Sequence, residues 1–234
     1  MMDGTTAPEP GFIQAGRIKF PKRHDVLPPR IRRALRIGAY EAKEAKAVLR
    51  VVRADDVVLE LGGGVGFISS LIGTHRKVKH IHVFEANSAL AGYIRETHAA
   101  NGIENATVHH AIMGKRKGKA EFHVRGNLVG SSLDKMDGAG VTHTETVDIR
   151  NAKAEIKAIK PDVLVCDIEG AEVDLIPLMD LSGLRAAVIE LHPQWIGVDG
   201  VNAVFQAFMS AGLAYYPKLS NQKVVTFRRA WPLK

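Results

Sequence analysis

Three acids fall within six residues in Asp167-Ile168-Glu169-Gly170-Ala171-Glu172. Carboxylates this close repel one another and are costly to bury, so the spacing suits proton transfer or the holding of a positive group better than it suits packing. The apolar residues 163–166 precede them, as a buried strand would that delivers the acids at its C-terminal end. Gly170 lets the chain turn close to the site, and Glu172 is suited to cap the helix that follows. A second stretch with chemical potential is Val57-Val58-Leu59-Glu60-Leu61-Gly62-Gly63-Gly64-Val65-Gly66-Phe67. It reads as a buried strand, a glycine turn and a helix start near Phe67. Glycine at 62, 63, 64 and 66 removes Cβ atoms that would hold a ligand off the main chain, and the helix start adds free N–H groups.

The glycine spacing bears on which ligand the turn would hold. Read as a dinucleotide fingerprint, G-x-G-x-x-G, it lacks the third glycine, because Phe67 stands there. The pattern acid-x-G-x-G-x-G is complete at Glu60, Gly62, Gly64 and Gly66. An acid at the loop entrance attracts the sulfonium and ammonium groups of S-adenosylmethionine and repels a pyrophosphate. The next strand ends at Phe84-Glu85-Ala86-Asn87, where the Glu85 carboxylate can accept hydrogen bonds from both hydroxyls of an adenosine ribose. Ala111 and Ile112, ending the third strand, supply small and apolar groups to flank an adenine.

His192, in Glu190-Leu191-His192-Pro193, ends a later strand at the same edge of the sheet. A neutral imidazole there is placed to act as a general base. Asp167, Glu169 and His192 also admit a divalent metal reading, which lacks a clear further ligand and is not favoured. His80 and His82 lie two apart with no further ligand set, so metal binding is not expected there.

These residues need a scaffold. Residues 57–61, 78–84, 107–112, 163–166 and 185–191 read as strands, with helices at 66–72, 88–100, 151–159, 171–179 and 201–211. Short strands at 120–124 and 142–149 fall in and after a glycine-rich interval, 114–140. Such alternation gives a parallel sheet with helices on both faces, and the last segments, 213–216 and 224–227, form an antiparallel hairpin. Ahead of the sheet, 31–37 and 41–52 carry helical periodicity.

The 234 residues, 46% hydrophobic and 24% charged, suffice for one domain with a large core. No stretch approaches a membrane span or a signal-peptide core, so a cytoplasmic location is expected. The single cysteine, Cys166, excludes an intrachain disulfide and cannot alone build a zinc site. Net charge is +7, and residues 17–36 hold eight basic side chains against one acid. The excess therefore belongs to an N-terminal segment, which reads as a flexible leader and basic arm, residues 1–36, ahead of a domain at 37–234. Phe20 is the only aromatic between 17 and 36, so the aromatic interleaving of a nucleic-acid module is missing there.

Taken together, the stretches 57–67, 83–87 and 166–172 resemble the FkbM-type S-adenosylmethionine-dependent methyltransferases, over about residues 55–192. The resemblance implies the class I methyltransferase fold, a Rossmann-like, seven-stranded, mostly parallel sheet with an antiparallel C-terminal hairpin. It implies methyl transfer to a hydroxyl oxygen, with a small molecule or saccharide as acceptor. On the matched positions it implies cofactor binding by Glu60, Gly62, Gly63, Gly64, Gly66, Phe67, Glu85, Ala86, Asn87, Ala111 and Ile112, with Asp167 and Glu169 at the reaction end. The sequence departs from the family where Glu60 replaces an Asp, Gly62-Gly63-Gly64 replaces Gly-Ala-Asn, and Val165 replaces a lysine. The alternatives are a nicotinamide-dependent oxidoreductase and a nucleic-acid-binding module using the basic arm.

Overall fold

A computed structural model describes residues 11–125 and 141–229 of the chain. The segment expected as leader and arm is folded from residue 12 onward, which corrects that expectation. Strands β1 (Phe12–Ala15) and β2 (Ile18–Pro21) form an antiparallel hairpin, followed by helices α1 (Pro29–Arg36) and α2 (Ala42–Val51). Alternation explains why. Ile13, Ala15, Ile18 and Phe20 are buried while their strand neighbours face water, and Leu27, Ile31 and Leu35 continue the same core. Each large side chain so buried contributes roughly 1.5–3 kcal/mol. The basic residues occupy the outer surface: the Arg23 guanidinium, for example, pairs with Asp25 and Glu96. Residues 1–10 of the expected leader lie outside the described residues.

The main sheet uses β3 (Val57–Leu61), β4 (His80–Glu85), β5 (Ala106–Gly114), β6 (Gly118–Arg125), β7 (Val141–Asn151), β8 (Val163–Cys166), β9 (Ala186–Glu190), β10 (Ala214–Tyr215) and β11 (Val224–Arg228). Their spatial order is β10-β11-β9-β8-β3-β4-β5-β7-β6. Six neighbouring strands from β9 to β7 run parallel, β11 and β10 close one edge antiparallel, and β6 pairs antiparallel with β7. Among the described residues, nine strands therefore stand where seven were expected. The difference is the β6–β7 pair, whose strand segments are visible in the sequence and which extends the sheet beyond β5. Residues 126–140, within the glycine-rich interval, lie outside the described residues.

Helix boundaries follow local chemistry. The Asn87 side chain accepts from the N–H groups of Ala89 and Leu90 at 3.0 and 3.2 Å, starting α4 (Ser88–Ala100). Asn151 caps α5 (Ala152–Ile159) in the same way, and Lys160, left-handed before Pro161, ends it. The helix expected at 171–179 is broken by Pro177 into α6 (Glu172–Leu175) and a 3-10 turn. The last helix, α7 (Pro193–Ser210), begins earlier than expected and is interrupted by Gly197 at φ 64°. Helix α3 (Phe67–His75) follows the glycine turn.

Each central strand is buried on both faces. In β3, Val58 joins the core beneath α2, α3 and α4, whereas Leu59 and Leu61 join the core beneath α5, α6 and α7. This period of two decides where every acid at the strand ends will point.

Candidate active site

A cavity of about 1030 Å³ opens at the carboxyl ends of the parallel strands. Of the residues expected in the site, Gly62, Gly64, Glu85, Ala86, Ala111, Ile112, Asp167 and Glu169 line it. The glycine turn and the acidic stretch are therefore adjoining parts of the lining of one space. Both are pinned by the sheet: the Gly62 N–H donates to the Phe84 carbonyl and the Asp167 N–H donates to the Leu61 carbonyl, each at 2.9 Å.

Glu85 sits at the centre of the cofactor side. One carboxylate oxygen accepts the Gly64 N–H at 2.9 Å, and the other accepts the Asn87 N–H at 2.8 Å. Burial pushes its pKa up to about 7, while these main-chain donors act in the opposite direction. Each oxygen keeps acceptor capacity toward the cavity, since a carboxylate offers about four lone-pair sites. Gly64, at φ +53°, has no atom within 3.7 Å of where a Cβ would stand, and so leaves open space beside the main chain.

Six expected site residues stand elsewhere. Glu60 follows the period of two onto the opposite face of β3, where it is buried beside Ser69 of α3 and does not line the large cavity. Gly63 is needed for packing, because a Cβ there would meet Ile94 and Val83 at 2.6 Å. Gly66 turns the chain into α3 at φ +76°, against Ile94. Phe67 is buried against Phe20 and Tyr40. Asn87 spends its side-chain oxygen on the α4 cap. His192 is buried behind the acids and off the cavity wall.

The histidine is held firmly. Its Nδ1 lies 2.6 Å from Oε1 of fully buried Glu172, and its Nε2 lies 3.2 Å from Glu169 and 3.7 Å from Asp167. Burial lowers the imidazole pKa, but the hydrogen bond to Glu172 and the charges of Glu172, Glu169 and Glu190 outweigh it and hold His192 above its ordinary value. Held between these carboxylates and off the cavity wall, His192 is placed to orient Glu169. Glu172, suited by sequence to capping, acts mainly as the partner of His192. Burial also drives the Asp167 carboxyl well above the usual carboxylate range, helped by Glu190 and Glu41.

Several features in and beside this wall were not anticipated. Glu41, at the start of α2, lines the cavity with its backbone left-handed at φ 45°, and burial pushes its carboxyl up to about 8. Glu169 is likewise left-handed at φ 50°. Such conformations cost roughly 1–2 kcal/mol each for residues other than glycine, so tertiary structure holds both carboxylates in place. Lys115, Arg116 and Lys117 of the β5–β6 turn and Lys119 of β6 also line the space. Glu190 is the second residue the sequence undervalued, although its place two residues before His192 at a strand end was a usable signal.

No family model and no curated protein matches this chain. Solved structures do resemble it. Trm5b from Pyrococcus abyssi superposes with a TM-score of 0.50 at 11% identity, over 92% of this chain and 54% of that one. Ribosomal protein L11 methylase from Lactobacillus delbrueckii subsp. bulgaricus gives 0.48 at 14% identity, over 82% and 80%. TYW2 of M. jannaschii in complex with AdoMet gives 0.41 at 11% identity, over 81% and 76%. The likeness is one of architecture: the chain has the Rossmann-like α/β fold found in class I methyltransferases.

Proposed function

We propose that the chain is an S-adenosylmethionine-dependent methyltransferase of the FkbM type that methylates a hydroxyl oxygen of a small molecule or saccharide. The observation that carries this reading is the clamp of Glu85 on the Gly64 N–H at the edge of the large cavity. It leaves an acceptor-only carboxylate for a ribose diol beside a main chain stripped of side chains. The volume supports it too, since about 1030 Å³ exceeds what one cofactor needs and leaves room for an acceptor.

Gly62, Gly64, Glu85 and Ala86 would hold the cofactor's nucleoside, with Ala111 and Ile112 along the base. The cofactor supplies a sulfonium-activated methyl group. Asp167 and Glu169, which follow the neighbouring strand, would orient the acceptor hydroxyl and take its proton, since most of the gain in such a transfer comes from alignment and timely proton removal. His192, clamped by Glu172 and 3.2 Å from Glu169, fixes the direction of that carboxylate. The basic β5–β6 turn favours an acceptor bearing negative charge.

The oxidoreductase alternative is weakened by the same geometry, because Gly66 and Phe67, whose amides would meet a pyrophosphate, do not line the cavity. The nucleic-acid alternative loses its free arm, since the apolar side chains of residues 12–36 pack into the core, although the basic ones stay on the surface. Titration calorimetry with S-adenosylhomocysteine tests the assignment. Micromolar binding that is lost in Glu85→Ala is expected; no binding, or unchanged binding in that variant, overturns it.

A further inference from the structure

Below the glycine turn, on the opposite face of β3, lies a second cavity of about 20 Å³, enough for one water-sized occupant. The period of two builds it. Glu60 of β3, Asp167 after β8 and Glu190 of β9 all project to the face covered by α2, and α2 adds Glu41 and Glu44. Five carboxylates wall the cavity, and no lysine or arginine lines it among the described residues.

Glu60 is 2% exposed, and its Oε2 has no hydrogen-bond partner. A carboxylate oxygen buried this way costs several kcal/mol unless something positive or protonated faces it. The inner oxygen Oδ1 of Asp167 is also buried without a hydrogen-bond partner, with His192 Nε2 3.7 Å away. Donor atoms of Asp167, Glu190 and His192 lie within 4.8 Å of one another, a spread that a cation with bonds of roughly 2.1 Å closes by small side-chain rotations. His192 is prepared for such a role: Glu172 occupies Nδ1, which leaves Nε2 directed at the acids, the arrangement that supports a metal-bound imidazole.

We infer a divalent-cation site at the edge of this acidic pocket, with Asp167 and Glu190 of its lining and His192, which stands beside the lining, as protein ligands, and Glu60 as a further carboxylate of the pocket. Two carboxylates and one imidazole suit Mn²⁺, because carboxylate sites favour Mg²⁺ or Mn²⁺ while an imidazole disfavours Mg²⁺. Glu41, Gly62 and Asp167 line both cavities. The cation would therefore stand one side chain from the acceptor space, offsetting the mutual repulsion of the acids there and fixing the direction of Asp167.

The site is independent of the methyl-donor assignment, and its test uses no catalysis. The purified chain, stripped with a chelator, is titrated with Mn²⁺ and followed by electron paramagnetic resonance. One saturable site is expected, with an imidazole nitrogen coupling in the electron spin echo of the bound ion. Affinity should fall at least about tenfold in Glu190→Gln and in Asp167→Asn, each checked for folding by circular dichroism. The inference is overturned by the absence of saturable binding up to millimolar Mn²⁺. It is equally overturned by bound Mn²⁺ that shows no nitrogen coupling and is indifferent to both variants. Displacement of Mn²⁺ by S-adenosylhomocysteine would also overturn it, since the carboxylates would then be holding the cofactor's ammonium group.

Discussion

A methyl group placed on Gly62 would lie 1.7 Å from the carbonyl oxygen of Asp167. The glycine turn and the acidic stretch, more than 100 residues apart, are thus packed main chain against main chain, and no side chain fits between them. Gly62 is also left-handed at φ +81°. Gly62→Ala should cost more than about 3 kcal/mol of stability and abolish S-adenosylhomocysteine binding, because β3 and β8 must separate. Gly64→Ala, with no contact nearer than 3.8 Å and only a left-handed φ to satisfy, should cost roughly 1 kcal/mol. Thermal melting and calorimetry on the two variants separate a packing requirement from a conformational one.

Glu85, with its pKa raised to about 7 by burial, should impose a pH dependence on cofactor binding. The ionised carboxylate accepts two hydroxyl hydrogen bonds, whereas the protonated form gives up an acceptor site. Affinity for S-adenosylhomocysteine should therefore rise from pH 6 to pH 8 and level off above, and Glu85→Gln should bind more weakly and lose the slope. The same shift acts on folding with a definite sign. Between about 4.5 and 7 the unfolded chain has released this proton and the folded one has not, so Glu85 makes stability fall as pH rises through that window. Calorimetric titrations at four pH values check the binding half.

His98 acts in the opposite sense. It is buried, its Nε2 lies 3.0 Å from the Ser69 hydroxyl, and burial lowers its pKa from 6.5 to about 4. Between those values the unfolded chain binds a proton that the folded chain excludes, so stability falls as pH drops from 6.5 to 4, by on the order of 3 kcal/mol. In His98→Gln this contribution is absent. The difference in unfolding free energy between wild type and variant, measured by urea denaturation at pH 7 and pH 4.5, should shrink toward the acid end.

Strand spacing, the glycine turn and the acids after β8 are legible in the sequence because each is a local pattern: apolar runs, glycine clusters, strand-end charges. The direction of a side chain at a strand end is legible in principle too. Counting in twos from Val58 places Glu60 beneath α2 and α3, and the attraction of the acid-x-G-x-G-x-G pattern hid that count. The folded N-terminal hairpin was missed for a different reason. Its alternation spans only four residues per strand between glycines and is diluted by basic residues, so charge overrode periodicity. Glu41 could not be placed at all, since its position depends on how α1 and α2 cross the sheet edge, a tertiary fact with no local trace.

The buried Glu172–His192 pair gives the last prediction, one that tests whether these two residues act as a unit. Glu172 is fully buried and its Oε1 is 2.6 Å from Nδ1 of His192. Removing only one partner leaves the other desolvated and unpaired, which costs about 3–5 kcal/mol. Glu172→Leu should therefore destabilise the fold by about that much, and Glu172→Gln, which can still accept the imidazole N–H, by less. His192→Phe should be costly for the mirrored reason, because it strands Glu172. The double variant, Glu172→Leu with His192→Phe, removes both polar groups together and should cost clearly less than the two single changes combined. A double-mutant cycle from urea unfolding would show this as a coupling of at least about 1 kcal/mol, and strict additivity would mean that the clamp has no energetic reality.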